Sequence, residues 1–180
     1  MKLYHLDDEI GACLRILQDL TYDVNHAIRG GKALDPLIID TVVTSVQYRL
    51  LSNLPLSSCH TQRDTVEESL RLGCLVYINT IHPQFPEDAE THRGLIEKFQ
   101  TCLNRIVTAS GNISEFLLWS LLLGGTMVSR DPIRTWFVAR LADTATHLYL
   151  LSWDHDVKPV ILKFLWIERV HEAASRALWD

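Results

Sequence analysis

Phe116-Leu117-Leu118-Trp119-Ser120-Leu121-Leu122-Leu123-Gly124-Gly125 is apolar at nearly every position. A helix on a protein surface carries one apolar stripe, whereas a helix that is apolar all round belongs at the centre of a bundle. The run from Phe116 to Val128 spans about 13 residues, short of the roughly 20 needed to cross a bilayer. It also holds two glycines and a serine, so it reads as a buried core helix and not as a membrane span. Two further tryptophan-marked blocks follow, Arg134-Thr135-Trp136-Phe137-Val138-Ala139-Arg140-Leu141 and Ile161-Leu162-Lys163-Phe164-Leu165-Trp166. The three blocks together predict the buried helices of an all-α domain.

Outward from these blocks, turn and cap signals divide the chain into seven or eight helices. Residues 1–29 form the first, ended by Gly30-Gly31, since glycine adopts the left-handed conformation that terminates helices. Met1 falls within or very near this helix. That predicts no leader, and either a stand-alone helical protein or a gene start inside a longer one. Asp35-Pro36 opens the second helix: the aspartate accepts first-turn amide protons, and proline there has none to waste. Leu37, Ile38, Val42, Val43, Val46 and Leu50 recur at helical spacing, and the helix ends near Asn53. Its β-branched residues make a strand over Ile38–Val43 the local rival, but length and caps favour helix.

After a polar linker from Leu54 to Gln62, Asp64-Thr65-Val66-Glu67 reads as a capping box. The third helix then shows a core face of Leu70, Cys74, Tyr77 and Ile81, widened by Leu75 and Ile78. Pro83 and Pro86 stop it. A fourth helix covers about Ala89 to Ala109, with Leu95, Phe99, Cys102, Leu103, Ile106 and Val107 on one face. Asn112-Ile113-Ser114-Glu115 has the spacing of another capping box and starts the central fifth helix. Gly124-Gly125 either ends that helix or lets a neighbouring backbone come close. Asp131-Pro132 starts a sixth helix, which runs to about Tyr149. Trp153 to Asp156 is a turn, and a last helical region covers Val157 to Trp179, interrupted or begun near Pro159. The whole chain, 1–180, is read as one helical domain.

Composition bounds the function. The chain has 180 residues, 47% hydrophobic and 22% charged, which is ordinary for a globular domain. Its 17 basic residues face 22 acidic ones, a net charge of −5. Clamping nucleic acid needs surplus Lys and Arg to displace counterions from phosphates, so direct DNA binding by this chain is not expected. Cys13, Cys59, Cys74 and Cys102 form no C-x-x-C pair and have no histidine at zinc-finger spacing. They are read as reduced thiols, Cys13 and Cys74 packing as small hydrophobes.

No constellation makes a reaction centre. Asp7-Asp8-Glu9 are consecutive and point to different sides of a helix, where acids complement the N-terminal dipole. Asp143 and His147 are four apart on one helix, two ligands without a third. Asp154-His155-Asp156 reads as a solvated turn that favours protonated histidine. Cys59-His60 are adjacent in a loop, and catalytic pairs meet through the fold instead. Ser110-Gly111 lacks the glycine pattern of a nucleophile elbow. Gly30-Gly31-Lys32 and Gly124-Gly125-Thr126 lack the spacing of a phosphate loop. Arg130, Arg134 and Arg140 gather around the start of the sixth helix with Trp136 among them, a candidate partner surface, diluted by Asp131 and Asp143. Trp119, Trp136 and Trp166 either fill the core or line an interhelical ligand pocket. No cofactor or metal is expected.

The order of blocks carries a resemblance. Val46-Gln47-Tyr48-Arg49-Leu50-Leu51 comes first. Glu67-Glu68-Ser69-Leu70-Arg71-Leu72-Gly73 follows, continuing into Leu75-Val76-Tyr77-Ile78. Then come Phe116 to Gly125, Trp136 to Val138, Phe164 to Trp166 and the terminal Leu178-Trp179. This arrangement, over roughly residues 40 to 180, resembles the C-terminal regulatory region of fungal binuclear-zinc-cluster transcription factors. The zinc cluster, basic linker and dimerising heptads of that family are absent. The resemblance implies a non-enzymatic regulatory or effector module with a nuclear address, the cytoplasm being the other compartment open to it. It would act through protein partners, whether transcription machinery or a second copy, and would respond to a small-molecule effector. No membrane association is implied. The competing reading is a small helical enzyme or ligand carrier with an apolar interhelical pocket near the three tryptophans.

Overall fold

A computed structural model describes residues 7–52, 61–82, 90–106, 111–128 and 132–180, without the side chains of residues 62, 63 and 111–113. Expectations placed on Met1, Cys59-His60, Val107, Ser110, Arg130 and Asp131 lie outside the described residues. The described chain is helical, and no strand occurs in it. The helices are α1 (Asp8–Arg29), α2 (Pro36–Ser52), α3 (Gln62–Ile81), α4 (Glu90–Asn104), α5 (Gly111–Thr126), α6 (Pro132–His147), α7 (Lys158–Ile161) and α8 (Glu168–Trp179). A single wide helical turn, Trp153–Val157, leads into α7.

Local chemistry sets the ends. Asp7 caps α1 by accepting from the amides of Glu9 and Ile10. At its other end Gly31 sits at φ 65°, so that the Gly31 amide reaches the Ile28 carbonyl (3.1 Å) and the Lys32 amide the Ala27 carbonyl (2.8 Å). This double closure satisfies carbonyls that the helix itself leaves open. Asp35 accepts from the Leu37 amide at the start of α2.

Three expected boundaries shift. The capping box of α3 is Thr61 with Asp64, each side chain bonding the other's backbone amide, one step earlier than Asp64 with Glu67. Threonine in an extended conformation makes the better cap, and Asp64 serves as the acidic third residue. Helix α5 is already under way at Gly111, so Asn112 is not its cap. Helix α4 ends at Asn104, before Ala109.

The core is built around two helices. Helix α5 touches α3, α4, α6, α7 and α8, and its residues from Ser114 to Leu123 are buried apart from half-buried Glu115. Removing side chains such as Leu117, Leu118, Leu121 and Leu122 from water is worth about 2 kcal/mol each before ordering costs. Helix α3 is the second axis. It was expected to present one stripe, yet Glu68 to Ile78 are all buried, because α1 and α2 cover the side that α4 and α5 do not.

Helix α2 contributes Val43, Val46 and Leu50 to the core. Leu37 and Ile38, which recur at helical spacing with them, are instead 69% and 54% exposed.

The Phe164-Leu165-Trp166 block is not helical. Residues 162–167 form a connector between α7 and α8, with Leu165, Trp166 and Ile167 buried. The last helical region is thus two helices separated by an apolar strap lying against α5 and α1.

Candidate functional site

The tryptophans separate into different environments. Trp119 and Trp166 are each 1% exposed, whereas Trp136 is half-buried. The Trp119 indole stacks on Phe164 at a ring separation of 5.5 Å, and its Nε1 donates to the Leu165 carbonyl at 3.0 Å. Trp166 lies 5.0 Å from the His171 ring, and its Nε1 is buried without an acceptor among the described residues. Trp136 meets the edge of Phe137 at 5.0 Å, and it is Phe137 that enters the core. Of the three indoles, only Trp166 borders either of the two grooves described below.

Arg134 donates to the carbonyls of Val128 (2.9 Å) and Gly125 (3.3 Å), closing the open end of α5. Arg140 is half-buried, and its Nε is enclosed without a partner among the described residues. The two guanidinium groups therefore do different jobs. Asp143 and His147 are both exposed. Among the described residues no group of three or more His, Cys, Asp or Glu side chains stands together to hold a metal.

Several ion pairs join elements. Glu9 pairs with Arg49 across α1 and α2, and that hydrogen bond holds its carboxyl below the usual range. Arg29 reaches Glu168 on α8, Lys158 binds Glu168 and Glu172, and Arg176 meets Asp154. Asp156 accepts from the amides of Leu151 and Ser152 (2.8 Å each). Those two bonds hold its carboxyl below the ordinary aspartate range. Such exposed pairs set orientation more than stability.

One buried ion pair went unrecognised in the sequence. Arg71 makes a two-pronged contact with Glu68 (2.6 and 2.7 Å) and donates to the Leu50 carbonyl at 2.8 Å. It ties the last turn of α2 to the middle of α3. The spacing of three residues was visible, but nothing in the pattern said that both groups are enclosed.

A polar chain runs through the interior between α1, α3 and α8. The Thr21 hydroxyl donates to the Leu17 carbonyl and accepts from the Tyr77 hydroxyl (2.6 Å each). Thr80 donates to the Tyr77 carbonyl at 2.6 Å and accepts from His171 Nε2 at 2.7 Å. His171 Nδ1 accepts from the Ile167 amide at 3.0 Å, which fixes the neutral tautomer and caps α8. Burial pushes the His171 imidazole down to about 4. Burial likewise pushes the Cys74 thiol up to about 12 and raises the Tyr77 phenol, so these groups stay neutral and are structural.

Two grooves open on the surface. The first, about 400 Å³, lies among α2, α3 and α4. Its apolar walls come from Tyr48, Leu51, Leu75 and Leu95, with Tyr48 and Leu51 largely exposed. The second, about 470 Å³, lies between α1 and the 162–166 connector. Tyr22, Phe164 and Trp166 supply its aromatic surfaces, and His26, Arg29 and Lys163 its basic ones. No helix among the described residues is long and apolar enough to cross a membrane.

Comparison with known families returns a match. The sequence model described as "fungal specific transcription factor domain" matches residues 43–161, which is more than half of the chain. The matched span begins in α2 and ends with α7, so it contains both central helices, α3 and α5. Comparisons with curated proteins and with solved structures each found no match.

Proposed function

The chain belongs to the fungal specific transcription factor domain family, and from that premise we propose that it is a non-enzymatic regulatory module working in the nucleus through protein partners. The carrying observation is the family match over the helices that build the core, residues 43–161. Family membership places the chain in transcription regulation. The reading that it acts by binding proteins, without gripping DNA itself, is supported by its net charge of −5, which opposes counterion release from phosphates. The non-enzymatic reading is supported by the engagement of several acids, bases and thiols in caps, ion pairs or packing.

The partner-facing surface is proposed to be the groove of Tyr48, Leu51, Leu75 and Leu95. Large apolar side chains left exposed together are the usual mark of an interaction site. Arg134 is occupied as a cap on α5, which makes the arginine cluster the weaker choice.

The test is to tether residues 1–180 to a heterologous DNA-binding domain in a fungal reporter strain. A rise or fall in reporter output is expected, abolished by Tyr48→Asp with Leu51→Asp while the protein level is unchanged. A tethered chain that leaves output at the level of the DNA-binding domain alone overturns the reading.

A further inference from the structure

The geometry points to a ligand site in the cleft between α1 and the 162–166 connector, one that takes a small planar organic anion, an aromatic carboxylate fitting it best. The cleft holds about 470 Å³, within the range of small-molecule sites. Its composition is one-sided in charge. His26, Arg29 and Lys163 border it, and among the described residues no acidic one does, although the chain as a whole carries −5. Arg29 and Lys163 each contact one carboxylate, Glu168 and Glu115, and neither acid belongs to the cleft wall. Both cations keep donors to spare, because a guanidinium has five and an ammonium three.

The rest of the wall suits a flat ring. Phe164 is backed by Trp119, which stacks on it at 16°, leaving the Phe164 ring braced where it faces the cleft. Tyr22 and His26 stack on each other at 8° on the α1 side. The side chains of Gln18 and His26 make no hydrogen bond with the described residues. Trp166 borders the same space. Aromatic faces, surplus donors and no acid together select for a conjugated anion over a cation or a neutral polyol.

The connector is also well placed to relay occupancy. Leu165 is held by Trp119 of α5, Trp166 by Asn25 of α1 through its carbonyl (2.8 Å), and Ile167 by His171 of α8. A ligand bridging α1 and the connector would tighten the joint between these three helices. Its role as an effector of transcription rests on the function proposed above; its binding does not.

Isothermal titration and thermal-shift measurements on the intact chain would use 2-naphthoate, benzoate and indole-3-carboxylate, with 2-naphthamide as the neutral comparator. At least one carboxylate is expected to bind at millimolar concentration or below and to raise the melting temperature, with the amide at least tenfold weaker. Arg29→Gln with Lys163→Gln should weaken carboxylate binding at least tenfold. Glu168→Gln, which breaks the same Arg29 pair but leaves the cation, should retain it. Circular dichroism checks that each variant is folded. Binding by none of the carboxylates, equal binding of acid and amide, or unchanged binding in the double variant overturns the proposal. Reporter regulation without ligand binding would sink this site and spare the regulatory reading; ligand binding with a silent reporter would do the reverse.

Discussion

Trp119 Nε1 donates a 3.0 Å hydrogen bond to the carbonyl of Leu165, fastening the central helix α5 to the connector that precedes α8. Both residues are 1% exposed, so neither donor nor acceptor has water as an alternative. The bond explains how a non-helical strap can be buried: its backbone groups are satisfied by a side chain from the core.

Trp119→Phe should therefore do two kinds of damage. It leaves the Leu165 carbonyl without a donor and leaves a void beside Phe164. The expected loss is about 2–4 kcal/mol, read as a fall in urea midpoint at unchanged slope. A loss below about 1 kcal/mol would put the indole at a yielding site.

Two helical glycines should respond in opposite directions to alanine. A Cβ on Gly124 would stand 2.5 Å from Phe137 Cε1, a fully buried ring. A Cβ on Gly94 would meet nothing within 4 Å. Gly94→Ala should stabilise by about 0.5–1 kcal/mol through helix propensity alone. Gly124→Ala gains the same propensity but must displace a packed ring, and should destabilise by about 1–2 kcal/mol net. Thermal unfolding of the two variants beside the parent checks the pair.

These cases also show what the chain's pattern could and could not disclose. The apolar run around Trp119 announces a central helix because every face of it is apolar. Helix α3 is just as enclosed, but Glu68, Ser69 and Arg71 interrupt its apolar pattern. Their burial depends on Arg71 finding both Glu68 and the Leu50 carbonyl, a tertiary fact. Phe164-Leu165-Trp166 reads as helix from hydrophobicity, while its non-helical path is held by the distant Trp119 donor. Gly124-Gly125 was expected to end α5 or admit a backbone; instead the helix continues to Thr126, and side chains of Phe137 and Leu178 fill the space. Of the candidate site, single members such as Trp166 were visible, but not its pairing with α1, because Gln18, His26 and Arg29 carry no motif. Periodicity reports burial along one helix and is blind to which other element lies opposite.

Tyr149 ends α6 in the left-handed region, φ 55°. Its amide reaches the Thr146 carbonyl at 3.2 Å, and the Leu150 amide reaches Ala145 at 3.0 Å, the same closure that Gly31 provides for α1. A side chain in that conformation is strained where glycine is not. Tyr149 is 88% exposed, so little packing is lost with its ring. Tyr149→Gly should stabilise by about 1 kcal/mol, seen as a higher melting temperature. A lower one would show the phenol making a contact that outweighs the backbone strain.

His171 predicts a pH dependence with a definite sign. Its imidazole is neutral in the fold, pushed down by burial to about 4 from an ordinary 6.5. It accepts from the Ile167 amide and donates to Thr80, and its ring neighbours Tyr77 and Trp166 carry no charge. Between those two values the unfolded chain binds a proton that the folded chain refuses, so stability must rise with pH there. The contribution is complete above about 6.5 and shrinks as pH falls toward about 4, by at most about 1.4 kcal/mol per pH unit. Glu9, Glu168 and Asp156 have lowered values instead, so their losses begin only near the carboxylate range, below the interval from about 6.5 to 5. His171→Gln keeps a donor and an acceptor and removes the titration. Urea unfolding at neutral pH should find the variant less stable than the parent, and the gap should narrow as pH is lowered through that interval. A gap that stays constant with pH would mean that the imidazole titrates alike in the folded and unfolded chain, and that its enclosure among Tyr77, Thr80 and Trp166 is open to water.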